Sequence, residues 1–187
     1  MGLIKTKQQI EGIIESANIN TAVLDHVAAH IKAGMTTEDI NKLVHDFTVA
    51  HGAIPAPLNY CGFPKSVCTS INHEVCHGIP SKDVVLKDGD IINVDVSTIY
   101  KGYFSDASRM FMIGEVSEEA RKLVEVTREC MQKGIETVKP NAYLGDIGAA
   151  ILAHARANGY SVVREIGGHG IGLEFHEDPY VSHVSRA

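Results

Sequence analysis

The stretch Ile91-Ile-Asn-Val-Asp-Val-Ser-Thr-Ile-Tyr-Lys-Gly-Tyr-Phe-Ser-Asp-Ala-Ser-Arg-Met-Phe-Met112 decides the architecture. Ile91 to Ile99 is rich in β-branched residues, and Tyr103 to Met112 is a second run of aromatic and apolar residues. Lys101-Gly102 between them is a turn signal, so the segment reads as an antiparallel hairpin. Across a two-residue turn, opposed positions have a constant, odd index sum. Asp95 and Asp106 therefore project from one face, opposed or diagonal. A strand interior is a poor place for an aspartate without a task. Two carboxylates on one face repel unless a cation or a proton lies between them. The bland reading is a solvent-facing acidic pair. The neighbours Val94, Val96, Phe104 and Met110 favour a metal site instead.

Upstream of the hairpin the spacing predicts two helices. Thr6 to Ala33 places Ile10, Ile13, Ile14, Ala17, Leu24, Val27 and Ile31 at helical intervals. Thr6 and Gln9 form a capping-box pattern, and Gly34 is the stop. Ile40, Leu43, Val44 and Phe47 share one face of a second helix ending near Gly52. Pro55, Pro57, Gly62 and Pro64 make residues 53 to 66 an ordered loop, and Val67 to Ile71 alternates like a strand. Downstream, Ser117 caps a helix running through Val138, with Glu118 and Glu119 at its positive end. A further helix spans Leu144 to Asn158. A strand is expected near Tyr160 to Glu165, followed by the glycine-rich loop Gly167-Gly168-His169-Gly170-Ile171-Gly172.

The chain repeats itself. Lys32-Ala-Gly-Met-Thr-Thr-Glu-Asp39-Ile40 aligns with Lys139-Pro-Asn-Ala-Tyr-Leu-Gly-Asp146-Ile147, and the register continues to Gly52 and Gly159 at a constant offset of 107. Two copies of one αβ unit can pack about a pseudo-twofold axis. The same offset places a second hairpin at positions 198 to 219, outside the 187 residues. The expectation is one domain over 1–187 whose second repeat lacks its C-terminal strands.

Composition bounds the partners. The chain has 17 Lys and Arg against 23 Asp and Glu, a formal charge of −6, and no basic run longer than two residues. A nucleic acid held by charge is not expected. No apolar stretch approaches the ~20 residues of a membrane span, and Met1 to Gln9 lacks the apolar core of a signal peptide. A cytoplasmic protein is expected. Cys61, Cys68, Cys76 and Cys130 form no Cys-x-x-Cys pair, so a zinc ribbon is disfavoured and free thiols are expected. His26, His30, His45, His51 and His154 fall in helical segments and need no functional reading.

Three other histidines sit in unusual contexts. His169 is flanked by glycines, which permit close backbone approach. A phosphate cradle fails there, because no Lys-Ser/Thr follows. A neutral imidazole beside two carboxylates gives a mixed nitrogen and oxygen set suited to Mn, Fe, Co or Zn. His77, in Cys76-His77-Gly78-Ile79-Pro80, and His176, before Glu177-Asp178-Pro179, could each donate a hydrogen bond to a substrate carbonyl.

Together, Val75-Cys76-His77-Gly78-Ile79-Pro80, Asn93-Val94-Asp95-Val96, Asp106-Ala-Ser-Arg-Met-Phe111, Gly168-His169-Gly170-Ile171-Gly172 and Phe175-His176-Glu177 resemble the type I methionine aminopeptidases. The resemblance runs over nearly the whole chain. It implies the α+β pita-bread fold, with two pseudosymmetric αβ halves around a curved antiparallel sheet. It implies removal of the initiator methionine from nascent polypeptides at a site of two divalent ions (Co, Mn, Fe or Zn), close to the ribosome where such termini emerge. It makes Asp95 and Asp106 metal ligands, with Asp106 bridging, and His169 a third. His77 and His176 become the pair contacting the scissile amide, and Tyr60, Phe63, Cys68 and Phe175 the lining of the methionine pocket. Such a pocket suits a linear thioether, and the metals would act as Lewis acid and nucleophile source. The family's two glutamate ligands have no counterpart before position 187, so one weakly held ion and low turnover are expected. The alternatives are a non-catalytic pita-bread binding module or remnant, and a relative acting at proline. The Cys-His-Gly-Ile-Pro motif favours the methionine type.

Overall fold

Thr6 opens the first helix as the sequence anticipates. In the computed structural model, which describes residues 3–184, its hydroxyl accepts from Gln9 N at 3.2 Å, and Gln9 Oε1 accepts from Thr6 N at 2.8 Å. That box starts α1 (Lys7–His30). A second box, Thr36 with Asp39, starts α2 (Thr37–Ala50), whose buried side is Thr37, Ile40, Val44 and Thr48. The buried face of α1 is Ser16, Asn20, Val23, Leu24 and Val27. Ile10 and Ile14, expected on that face, are 47% and 53% exposed. The stripe is displaced because two polar residues face the sheet. Ser16 Oγ donates to Thr98 O and pairs with Ser105 Oγ, and Asn20 Oδ1 accepts from Thr98 Oγ1.

The chain then forms β1 (Ile54–Pro55), a 3₁₀ turn at Tyr60–Gly62, β2 (Cys68–Ile71), β3 (Ile91–Tyr100) and β4 (Tyr103–Met112). The predicted hairpin is present. Tyr100 opposes Tyr103, and the turn residues Lys101 and Gly102 have φ of 50° and 83°, the two positive values of a type I′ turn. Both β1 and β2 pair antiparallel with β3. Alternation along β3 sorts its side chains. Ile92, Val94 and Val96 join Val23, Val27, Ile40 and Val44 in one buried cluster, while Asp95 and Ser97 face the opposite side.

The chain divides into two compact units. One comprises the residues up to Ser117 with Ile171–Phe175. The other comprises Glu118–Gly170 with the residues from His176 on. The second holds α3 (Glu118–Glu136), α4 (Leu144–Ala157), β5 (Gly167–Gly170) and β6 (Glu177–Ser182). Its buried centre is Val126, Cys130 and Ala155, with Ile151, Tyr160 and Val162 against them.

The repeat is visible in the backbone. Shifting α2 by 107 residues gives the bounds of α4. Asp146 Oδ2 accepts from Tyr143 N as Asp39 does from Thr36 N. Gly34 and Asn141 share a left-handed conformation, as do Gly52 and Gly159. Tyr160 N donates to Ala155 O as Ala53 N does to Thr48 O. The strand expected at Tyr160 to Glu165 does not form. Its equivalent in the first unit, β1, is held by pairing with β3, and no described strand of the second unit lies beside residues 160–165 to do the same. The glycine-rich segment is a correction of the opposite kind. Gly167–Gly170 is a strand, with His169 opposite Tyr180 and an irregularity between His169 and Gly170.

Candidate active site

Asp95 and Asp106 lie on the same face of the hairpin, in diagonal register. Asp95 opposes Ser108, and Asp106 opposes Ser97. Ser97, itself 4% exposed, donates its hydroxyl to Asp106 Oδ1 at 3.0 Å. Burial, and then the adjacent Asp106 carboxylate, push the Asp95 carboxyl up to about 7. A hydrogen bond to Asp106 adds to that rise. Burial and the neighbouring carboxylate thus disfavour a charge on Asp95, and a divalent ion would relieve the same repulsion. Two carboxylates fit a divalent cation, although a pair of oxygens is only part of a coordination shell. Among the described residues, no three His, Cys, Asp or Glu side chains gather closely enough to hold an ion.

Cys68 is the Cα partner of Asp95 across β2 and β3, so its side chain shares the acidic face. It is buried, and desolvation followed by the charges of Asp95 and Asp106 pushes its thiol up to about 12. All four cysteines are free, Cys61 and Cys76 exposed, Cys68 and Cys130 buried. The aromatic residues expected around Cys68 gather in part. Tyr60 and Phe63 bracket the 3₁₀ turn, closed by Phe63 N donating to Tyr60 O at 2.9 Å. Tyr60 packs edge-on against Phe175, with ring centroids 4.9 Å apart. Phe104, whose role the sequence reading missed, stacks on Phe175 at 6.0 Å. Its backbone N–H donates to Gly172 O at 2.8 Å. Phe104 lies two residues from Asp106 on one strand, hence on the same face, and strand alternation could have found it.

His77 stands exposed at the head of the loop after β2, in a left-handed conformation with φ of 57°. The next residue explains the tight turn. Gly78 O accepts from Thr69 N at 2.9 Å, and a Cβ at Gly78 would meet Thr69 O at 1.9 Å. Cys76-His77-Gly78 is therefore pinned to β2 by its glycine.

In the second unit, His169 and His176 lie with ring centroids 4.4 Å apart, tilted by 47°. His169 Nδ1 donates to Gly170 O at 2.8 Å, which fixes the tautomer with its lone pair on Nε2. The close approach of β5 to β6 requires glycine here, since a Cβ at Gly170 would meet Asp178 O at 2.3 Å. A histidine between glycines is thus placed by strand pairing, not by a flexible loop.

Comparison with known proteins places these residues in context. The model of metallopeptidase family M24 matches residues 11–187. A methionine aminopeptidase A of Synechocystis is 51% identical over 182 residues, 97% of this chain and 72% of that one. The crystal structure of a Rickettsia prowazekii methionine aminopeptidase superposes with a TM-score of 0.96 at 48% identity, covering 100% of this chain and 75% of that one. An Xaa-Pro dipeptidase from Bacillus anthracis superposes at 0.81 with 25% identity, covering 97% of this chain and 50% of that one. The pita-bread fold expected from the motifs is borne out by these neighbours. Sharing about half its sequence with enzymes of one name and matching their family model nearly end to end, the chain belongs to the M24 metallopeptidases as a member of the methionine aminopeptidases.

Proposed function

We propose that this chain works as a metal-dependent methionine aminopeptidase in the cytoplasm, acting on the amino termini of nascent polypeptides. The observation that carries the reading is the acidic pair on the β3–β4 face, with Cys68, Phe104 and Phe175 in the same unit. On this reading Asp95 and Asp106 would hold a divalent ion, and His169 would serve as the third ligand that the motif resemblance implies. Such an ion would supply Lewis acidity and activate a water. Ser97 orients Asp106. The apolar and sulfur-bearing groups Tyr60, Phe63, Cys68 and Phe175 receive the methionine side chain and exclude water from it. His77 and His176 hydrogen-bond the groups of the scissile amide, positioning the carbonyl and handing a proton toward the leaving amine.

The test is methionine release from a Met-Ala-Ser peptide by the purified chain with added Mn or Co, beside calorimetric titration of the metal. Metal-dependent release, metal binding, loss of both in Asp106→Asn, and a His176→Ala variant that loses turnover far more than metal affinity are expected. Release that survives Asp106→Asn, preference for an Xaa-Pro dipeptide, or metal binding with no release at all would each overturn the reading.

A further inference from the structure

The first unit carries a cluster of imidazoles to which helical spacing alone gives no task. His26 and His30 lie one turn apart on α1, with ring centroids 4.4 Å apart and planes tilted by 49°. Phe47 of α2 stacks on His26 at 4.6 Å and on His51 at 4.1 Å. His30 and His51 are exposed, and His26 is half-buried. The fold does not demand these rings. At the offset of 107 residues, His26, His30 and His51 correspond to Lys133, Thr137 and Asn158, and the second unit builds its matching helices without them.

The hydrogen bonds prepare a ligand atom. His30 Nδ1 donates to His26 O at 2.8 Å. A carbonyl can only accept, so the proton sits on Nδ1 and the lone pair on Nε2. Metal-bound histidines characteristically hold their second ring nitrogen in this way. The ring of His26 has no hydrogen-bond partner among the described residues. Burial, and then the neighbouring His30 and His51, hold it below the ordinary histidine range, which keeps it neutral and its lone pair available at pH 7. His30 is also the last residue of α1, where the helix dipole favours a cation.

The spacing of the pair suits one ion. Two imidazoles bound through Nε2 at ~2.1 Å, in adjacent positions of one metal, have ring centres roughly 4.5 Å apart. His51 reaches the pair only through Phe47, in keeping with the absence of any three-ligand group among the described residues. We propose that His26 and His30 form a second metal site, a two-imidazole chelate for a divalent ion of the Zn, Ni or Cu class, with water in its other positions. Imidazole suits these ions, whereas Mg and Mn prefer oxygen. The site stands apart from the peptidase reading. α1 and α2 pack on the face of β3 that bears Val94 and Val96, and Asp95 faces the opposite side.

The test uses the full, untagged chain carrying Asp106→Asn, so that the acidic pair is silenced and the second site is read alone. Zinc and nickel chlorides are titrated by calorimetry, and copper(II) is added in substoichiometric amounts while the imidazole proton resonances are followed by NMR. We expect one zinc or nickel ion per chain, no heat with magnesium, and copper broadening centred on His26 and His30. Affinity should fall at least tenfold in His26→Gln and in His30→Ala, and stay within about twofold in His51→Ala and His154→Ala. An unchanged circular dichroism spectrum shows that each variant folds. The absence of zinc and nickel binding, binding indifferent to both His26→Gln and His30→Ala, or broadening centred on His51 or His169 would overturn the proposal.

Discussion

Ser97 shows how much of a carboxylate pair's behaviour resides in a neighbour without charge. It is nearly buried, lies directly across from Asp106 and donates a hydrogen bond to it. Groups that orient a ligand in this way typically affect metal affinity 10–100-fold. Ser97→Ala should therefore weaken Mn binding by roughly tenfold with an unchanged circular dichroism spectrum, and calorimetry checks it. Ser97→Thr should keep the affinity. The cysteines give a second prediction. Thiolates react and thiols do not. Cys61 and Cys76 are exposed, whereas burial pushes Cys68 up to about 12 and raises Cys130. At pH 8 a maleimide should label the first two rapidly and the others only on unfolding, as peptide mass spectrometry would show. The sequence disclosed the aspartates because a charge inside a β-branched run is conspicuous. It concealed Ser97 and Phe104, since a serine and a phenylalanine in a strand are ordinary until the register is known.

Among the elements, the hairpin was the most legible, because alternation, β-branching and a Lys-Gly turn all agree. The helices were legible as helices, yet the face of α1 was misread. Apolar count favoured Ile10 and Ile14, while hydrogen bonds to Thr98 and Ser105 turned Ser16 and Asn20 inward. Strand pairing decided the two other errors, since residues 160–165 have no strand beside them among the described residues and Gly167–Gly170 has one. Glycine at position 78 sets the course of the loop bearing His77. Gly78→Ala would force a Cβ into Thr69 O, and backbone cannot yield as a side-chain tip can. We expect a loss of stability of about 1–3 kcal/mol or more and a larger drop in turnover than in metal binding. Thermal melts and calorimetry on the same preparation separate the two effects.

At the scale of the molecule, the two units share a plan and differ in how well it is packed. The first buries eleven residues in one cluster, and the second buries three. Local stability follows burial, so amide exchange should be faster in α3 and α4 than in α1 and α2. Mass-resolved exchange of peptic fragments would test this, and equal protection would contradict it. The offset of 107 residues was readable because caps and left-handed turns recur with it, whereas the sparser burial of the second unit was not, since exposure depends on what lies alongside. A fold made by doubling one unit also carries a hazard. While the chain is folding, the β3–β4 ribbon could settle on α3 and α4 as well as on α1 and α2. The Ser16, Asn20, Thr98 and Ser105 seam acts against that exchange. Laid against Leu123, Ser105 would face a hydrocarbon chain, while Ser16 and Asn20 would lose their partners, at about 1–3 kcal/mol for each group left unpaired. Four small polar side chains thereby act as a proofreading device for assembly, keeping the two halves of a duplicated protein from being mistaken for one another.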